Sequence, residues 1–293
     1  MKLSKIHLIT LIAFTYRVFF LFLLPQAVTA APPVVLAVPA NEEGLVRFRQ
    51  WTPLAEYFRE ASGLSLNLEI VEDHPSVLRG MENKLYDLAF VDPVWYVLLA
   101  DRGLCIPLAR PIVASRDTFR SLLIVHRDSI VRSVDDLSGR RVALTVPFES
   151  AGGYYIPLAL LEANNLSIAD NKKFVFSDAF LSILKGVAYG KLEAGFVSSP
   201  VLDDLRNAFL REQVRVVLES EAIPQWTVVA RGDLRQETVA VIRKWLLEAA
   251  NTEQGRSALA LAGFSAFIEA QDPDYNIVRR YLEAVGDRIV PPE

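Results

Sequence analysis

The stretch Pro147-Phe148-Glu149-Ser150-Ala151-Gly152-Gly153-Tyr154 decides how this chain is to be read. It follows an apolar run, Val142-Ala143-Leu144-Thr145-Val146, with the length and β-branched content of a buried strand. It precedes Tyr155-Ile156-Pro157-Leu158-Ala159-Leu160-Leu161, which reads as a helix. A strand, a tight Ser/Gly loop and a helix in that order leave the first helical N–H groups without intrahelical acceptors. Together with the positive end of the helix dipole, those donors make an anion site. Ser150 adds a hydroxyl, and Gly152 and Gly153 let a ligand approach the backbone closely. The same residues would also serve as an ordinary strand-to-helix turn, since no strict phosphate-loop motif is present.

Working outward, strand and helix patterns alternate on both sides. Residues 34–38, 66–71 and 88–91 read as strands. Between them lie a helix over 48–61, with Trp51, Leu54, Ala55 and Phe58 on one face and Gly63 as its stop, and a short helix from Pro75 to about residue 83. Such an order implies a parallel sheet with helices on its faces. A second unit begins after 133–141, with strands at 141–146, 173–176, 193–197 and 214–218 and helices at 154–164, 179–189 and 200–210. Helices over 234–250, 253–261 and 275–285 form the tail. Two extended stretches, 119–125 and 225–230, lead out of the first unit and back. Two crossings suit a hinge, and a cleft between lobes is a usual place for a ligand.

The 293 residues carry 31 Lys and Arg against 35 Asp and Glu, enough chain for one large domain or two modest ones. Lys2, Lys5 and Arg17 are the only Lys or Arg residues among the first 30, which contain no acid. Two apolar runs, 8–16 and 18–24, lead to the small residues Val28-Thr29-Ala30. This pattern predicts an export signal cut after Ala30. An uncleaved anchor is the competing reading, but Arg17 is costly at mid-bilayer. Losing the segment takes the formal charge from −4 to −7. A mildly acidic body argues against nucleic acid or an anionic membrane surface as partner. The single cysteine, Cys105, excludes an internal disulfide, and an exported chain without disulfides points to a bacterial periplasm.

Several segments then resemble a known family. Asp87-Leu88-Ala89-Phe90-Val91-Asp92-Pro93-Val94-Trp95-Tyr96-Val97 is similar to a "DLAF-x-x-P-x-x-Y-V" segment, and Asp136-Leu137-Ser138-Gly139-Arg140-Arg141-Val142-Ala143 to "DL-x-GKR-x-A". Ser150-Ala151-Gly152-Gly153-Tyr154 with Pro157 sits where the family has "STSGY" and a downstream proline. Gly190-Lys191-Leu192-Glu193-Ala194-Gly195 resembles "GKVDAG", and Gly263-Phe264 with Asp272-Pro273-Asp274-Tyr275 resembles "GF…D-x-DY". Across roughly 34–285 the chain resembles the phosphate/phosphite/phosphonate-type (PhnD-like) periplasmic solute-binding proteins. The resemblance implies a type II periplasmic binding protein fold of α/β class. Each lobe would be a mainly parallel sheet flanked by helices, with two hinge crossings between lobes. After a signal at 1–30, lobe 1 would comprise 31–118 plus 222–293, and lobe 2 would comprise 119–221.

The departures from the family matter as much. Of the hydroxyls that help hold phosphonate oxygens there, only Ser150 is kept, Ala151 and Gly152 replacing two donors. A family His-acid pair falls at Phe180-Leu181, and a further acid falls at Ser198. Glu149 places a carboxylate beside the loop. Fewer hydroxyls and an added charge weaken binding of a dianion. The candidate ligand set is therefore Asp92, Trp95, Tyr96, Glu149, Ser150, Ala151, Gly152, Gly153, Tyr154, Phe180 and Ser198. Tyr96 matches the family's ligand-facing tyrosine, with Trp95 and Asp92 flanking it, and Phe180 would line an apolar part of the pocket. Asn41 and Glu42 border the cleft by position only.

Cys105, His74 and His126 form no metal or nucleophile spacing. Helix capping accounts for His74, and an apolar strand for Cys105. No cofactor and no catalytic constellation are expected. The sequence thus predicts a monomeric binding protein for a small-molecule ligand that serves an ABC permease. A membrane sensor such as a histidine kinase is the alternative partner, and an enzyme on the same fold ranks below both.

Overall fold

The computed structural model describes residues 33–40, 44–148, 150–166 and 173–286. The export segment and its cut after Ala30 lie outside the described residues, as do Asn41, Glu42 and Glu149.

Apolar runs become strands where the pattern places them. β1 (Val34–Pro39) leads through α1 (Gly44–Ser62) to β2 (Leu66–Val71), then through α2 (His74–Glu82) to β3 (Leu88–Val91) and α3 (Pro93–Ala100). After β4 (Cys105–Ile112) and the two-residue β5 (Thr118–Phe119), the chain enters a second sheet with β6 (Ser121–His126) and β7 (Val142–Thr145). α4 (Ile156–Ala163), β8 (Phe174–Ser177), α5 (Phe180–Ala188) and β9 (Ala194–Ser198) follow. α6 (Ser199–Asp203), α7 (Ala208–Glu212) and β10 (Val214–Glu219) complete that unit. The two-residue β11 (Ile223–Pro224) precedes the return through β12 (Thr227–Arg231), α8 (Gln236–Glu248), α9 (Glu253–Leu261), β13 (Ala266–Glu269) and α10 (Asn276–Val285).

The first sheet has the order β13-β4-β12-β3-β1-β2 and the second β10-β6-β9-β7-β8, while β5 and β11 pair as a separate ribbon. Both sheets are mixed, not mainly parallel. β1 runs parallel to β2 and β3, but β12 is antiparallel to both β3 and β4. In the second sheet β7 is parallel to β8 and β9, whereas β6 is antiparallel to β9 and β10. Parallel pairing needs a crossover that returns the chain to the starting edge. β6 and β12 instead arrive straight from the opposite sheet, so each enters reversed. These two strands were expected as crossings, yet each lies inside its sheet, and the passages narrow to Thr118–Phe119 and Ile223–Pro224. The single helix expected over 200–210 is divided, because the Asp204 carboxylate accepts the Arg206 N–H at 2.8 Å and starts a new turn.

Strand alternation divides the core. Val34, Leu36, Val38, Leu88 and Phe90 join Trp51, Leu54 and Phe58 of α1 on one face of the first sheet. Leu122, Ile124 and Val197 join Ile183, Leu184 and Val187 of α5 on the outer face of the second. The intervening residues, Ala37, Ala89 and Val91 from one sheet and Leu123, Val125 and Leu144 from the other, share one apolar cluster. Trp95, Tyr155, Tyr275, Val278 and Leu282 belong to it, and α10 packs against α4. The two sheets are therefore joined through a continuous seam.

Leu282 is 5 % exposed in that seam. Leu282→Ala should cost about 2–5 kcal/mol through lost transfer energy and a cavity. Urea unfolding followed by fluorescence and circular dichroism is expected to give one transition at a lower midpoint. A loss below about 1 kcal/mol would mean that the seam is loosely packed.

Candidate functional site

Several turns converge between the sheets. They are the Asp73-His74 turn after β2, the Asp92–Trp95 turn after β3 and residues 146–148 and 150–155 after β7, with Trp226 just before β12. The first three lie at the carboxyl ends of parallel strands, where open α/β sheets hold their ligands.

Asp92 is the N-cap of α3, with Pro93 at the first helical position, a pairing that suits both residues. Its Oδ1 accepts the Val94 N–H at 2.9 Å, and its Oδ2 reaches across the junction to accept the Ala151 N–H at 3.0 Å. The side chain is fully buried. Burial pushes its pKa up to about 7, although the Ala151 and Val94 N–H bonds favour the charged form.

His74 is buried next to it. Its Nε2 accepts the Asp92 backbone N–H at 3.3 Å, which requires the neutral ring to carry its proton on Nδ1. Nδ1 has no partner among the described residues. The ring stacks on Trp95 at 5.6 Å between centroids and meets Trp226 edge-on at 5.0 Å. Arg47 lies 5.9 Å from the Trp226 centroid. Burial pushes the His74 pKa down to about 3, so the ring stays neutral through the physiological range. Capping does not explain this residue as expected, because Asp73 caps α2 by accepting the Ser76 N–H at 2.8 Å.

The loop begins with Phe148, a non-glycine residue at φ +68°, a strained conformation held by its surroundings. Its carbonyl accepts the Trp95 indole N–H at 2.8 Å. Ser150 is extended and opens a five-residue π turn, Ala151–Tyr155, that runs into α4. Turns of this kind occur often at functional sites. The Ser121 hydroxyl donates to the Gly152 carbonyl at 2.6 Å. The glycines were expected to admit a ligand, but packing already demands them. A Cβ on Gly153 would lie 2.3 Å from Thr145 Cγ2, and one on Gly152 would lie 2.8 Å from the Phe119 ring. The Thr145 hydroxyl, against Gly153, is buried without a partner among the described residues. Tyr154 packs on Phe148 and Tyr155 at 5.5 and 5.3 Å.

The structure brings Asp92, Trp95 and Ser150 to Tyr154 together, while Glu149 lies outside the described residues. Tyr96 faces elsewhere. One position further round α3 than Trp95, its buried hydroxyl donates to Asp272 Oδ1 at 2.6 Å, and its ring meets Tyr275 at 4.2 Å. Asp272 also pairs with Arg279 at 2.7 Å. Phe180 packs with the cluster on the outer face of the second sheet, because the inward face of α5 points there. Ser198 ends β9 opposite Ser121 of β6, the residue whose hydroxyl bonds the loop; β9 packs against the π turn, and Ser198 makes no side-chain cap bond to α6. Cys105 is a buried free thiol, and His126 Nδ1 accepts the Asp128 N–H at 3.2 Å. Among the described residues, no group of three His, Cys, Asp or Glu is placed to share a metal ion. His74, expected only as a helix cap, joins the site, as do Thr145, Phe148 and Trp226, none of which stood in the candidate ligand set. Their one shared signal is position at or just beyond the end of a strand, or, for Trp226, between β11 and β12.

The family model described as "ABC transporter, phosphonate, periplasmic substrate-binding protein" matches residues 36–275. The chain is 24% identical over 234 residues to the phosphonates-binding periplasmic protein of Escherichia coli (strain K12), covering 76% of this chain and 68% of that one. Its fold is similar to that of a Xanthomonas citri protein bound to ATP, with TM-score 0.76 and 19% identity over 88% of this chain and 98% of the other. It is also similar to a Prochlorococcus marinus (MIT 9301) protein in complex with methylphosphonate, with TM-score 0.71 and 16% identity over 85% and 96% of the two chains. These likenesses establish the type II periplasmic binding protein fold.

Burial moves Asp92 and His74 in opposite directions, with opposite consequences for stability. The Asp92 contribution is present below the ordinary carboxylate value of 3.8 and is lost as pH rises towards about 7. The His74 contribution is present above 6.5 and is lost as pH falls towards about 3. The two slopes oppose between about pH 4 and 6.5. Relative to wild type, Asp92→Asn should gain stability as pH rises through this window, on the order of 1 kcal/mol per pH unit, and His74→Gln should lose it. Urea midpoints across that range check this. Curves parallel to wild type would show that neither group titrates as a buried one.

Proposed function

The chain belongs to the periplasmic substrate-binding family of phosphonate ABC transporters, and from that premise we propose that it captures a small solute bearing an acidic oxygen where its two sheets meet and presents it to a membrane permease. The observation that carries this reading is the Ala151 N–H, buried at the head of the π turn and already bonded to an acidic oxygen. A position that holds a carboxylate oxygen at 3.0 Å is chemically suited to a solute oxygen. The Trp95, Trp226, Phe148 and Tyr154 side chains offer an apolar or aromatic wall for the rest of the solute. Phe180, packed outside, takes no part in that wall.

In this proposal the chain is exported, cut after Ala30 and monomeric, and it binds without catalysing. Lobe 1 comprises 31–118 plus 222–293, and lobe 2 comprises 119–221. The β5–β11 ribbon supports a hinge, because the chain passes between sheets through those two short strands. The solute then selects the closed state, since only there do both lobes touch it.

Native mass spectrometry of protein taken from the host periplasm should reveal a bound small molecule. Adding that molecule at about 100 times its dissociation constant should stabilise the protein by about 2.7 kcal/mol in a thermal shift assay. Ser150→Ala should weaken its binding by about 1–2 kcal/mol. Protein that carries nothing and shifts with no phosphonate, sulfonate or carboxylate would sink the reading.

A further inference from the structure

The acidic oxygen on the Ala151 N–H belongs to the protein itself. Asp92 comes from the first sheet and Ala151 from the turn behind β7 of the second, so the 3.0 Å bond spans the junction. The Trp95 indole N–H spans it beside Asp92, at 2.8 Å from the Phe148 carbonyl. The closed arrangement thus needs no solute to bridge it. Two polar groups that border these turns remain unused, Thr145 packing against Gly153 and the His74 ring against the Asp92 backbone. The Thr145 hydroxyl and His74 Nδ1 are buried without partners among the described residues, at 4 % and 1 % residue exposure. Buried polar groups without partners are uncommon and call for a cause, and an acceptor that Asp92 does not supply is one.

We propose that Asp92 sets the specificity of this site by standing in for the solute: its carboxylate holds the Ala151 N–H and the closed junction until a solute oxygen replaces it, and it thereby turns away dianionic phosphonates and phosphate. The inference rests on the solute-binding reading above. Displacement does not strand Asp92, because its Oδ1 keeps the Val94 N–H within its own turn. A dianion arriving at the loop meets this carboxylate at close range in a site closed to water, and like charges so placed repel strongly. A solute with a single negative charge, or with a group that donates to Asp92 while accepting from Ala151, meets no such penalty.

The test uses the full mature chain as wild type, Asp92→Asn and Asp92→Ala, with methylphosphonate and inorganic phosphate as probes. Isothermal titration near pH 8 should show both probes binding Asp92→Ala at least about tenfold more tightly than wild type. Asp92→Asn should fall between, because it keeps an oxygen for Val94 but loses the charge. Without any solute, small-angle scattering should report a larger radius for Asp92→Ala than for wild type. If Asp92→Ala fails to fold, Asp92→Asn carries both comparisons. The inference is overturned if neither variant gains affinity, or if the solute-free dimensions match those of wild type. The scattering arm involves no solute, so it stands even if the solute-binding reading fails. A wild type that binds methylphosphonate as tightly as its variants overturns the Asp92 assignment and leaves the solute-binding reading in place.

Discussion

A buried backbone N–H must find an acceptor, and the one on Ala151 finds it across the boundary between two sheets. Much of the junction follows from that requirement. The strand-to-helix turn after β7 cannot use its own carbonyls to satisfy its leading donor. The nearest acceptor is a carboxylate fixed as the cap of α3, and capping holds that carboxylate in place. The pair then sets how closely the sheets approach. At that separation the Trp95 indole reaches the Phe148 carbonyl, and Phe148 is held in a conformation that a non-glycine residue adopts only under constraint.

α3 transmits this arrangement to the rest of the molecule. Its Asp92 and Trp95 reach the loop, while Tyr96, on another part of its circumference, is pinned to Asp272 and Tyr275. Arg279 and the Tyr96 hydroxyl hold the Asp272 carboxyl below its ordinary value, so it stays charged. Arg279 is on α10, which in turn packs against α4, the helix that continues the π turn. The helix that presents the cap is therefore braced from both sides by elements of the same seam. A rotation of α3 that broke the Asp92–Ala151 bond would have to disturb the Tyr96–Asp272–Arg279 chain as well, whereas a change in the Asp92 side-chain torsion would not.

How much of this was legible in the sequence depended on the range of the signal. Strand positions were readable because buried runs such as Leu88-Ala89-Phe90-Val91 carry their own evidence. The loop at 150–154 was readable for the same reason, its strand–turn–helix order being local. Sheet direction was not, because the reversed strands β6 and β12 differ from parallel ones only in where the chain came from. Tyr96 was placed by its motif, but its face of α3 was set by Asp272, 176 residues away. Phe180 was assigned by alignment to a polar pair, and the helix beneath it turned the ring to the outer core. His74 looked like a cap because histidine before proline suits a helix start, yet a neighbouring aspartate performs that task.

The balance between holding and releasing is the remaining physical question, and burial governs it. The seam between the sheets is one continuous apolar cluster, so opening it exposes residues such as Leu123 and Leu144 to water. That cost favours closure once the crossing bonds have brought the two sheets together. The polar bonds across the junction add direction: they fix which turn faces which. A binding protein with an open resting state would need this cluster interrupted, or its crossing bonds left to the solute. Here the crossing bonds are made by Asp92 and Trp95 themselves. A solute therefore gains little by drawing the two sheets together, since they already meet. On the proposal above, it gains by replacing a buried, partly ionised carboxylate with an oxygen that suits the Ala151 N–H better. On the proposal that Asp92 stands in for the solute, recognition is an exchange of acceptors within a closed junction, and selectivity depends on how the incoming oxygen compares with that of Asp92.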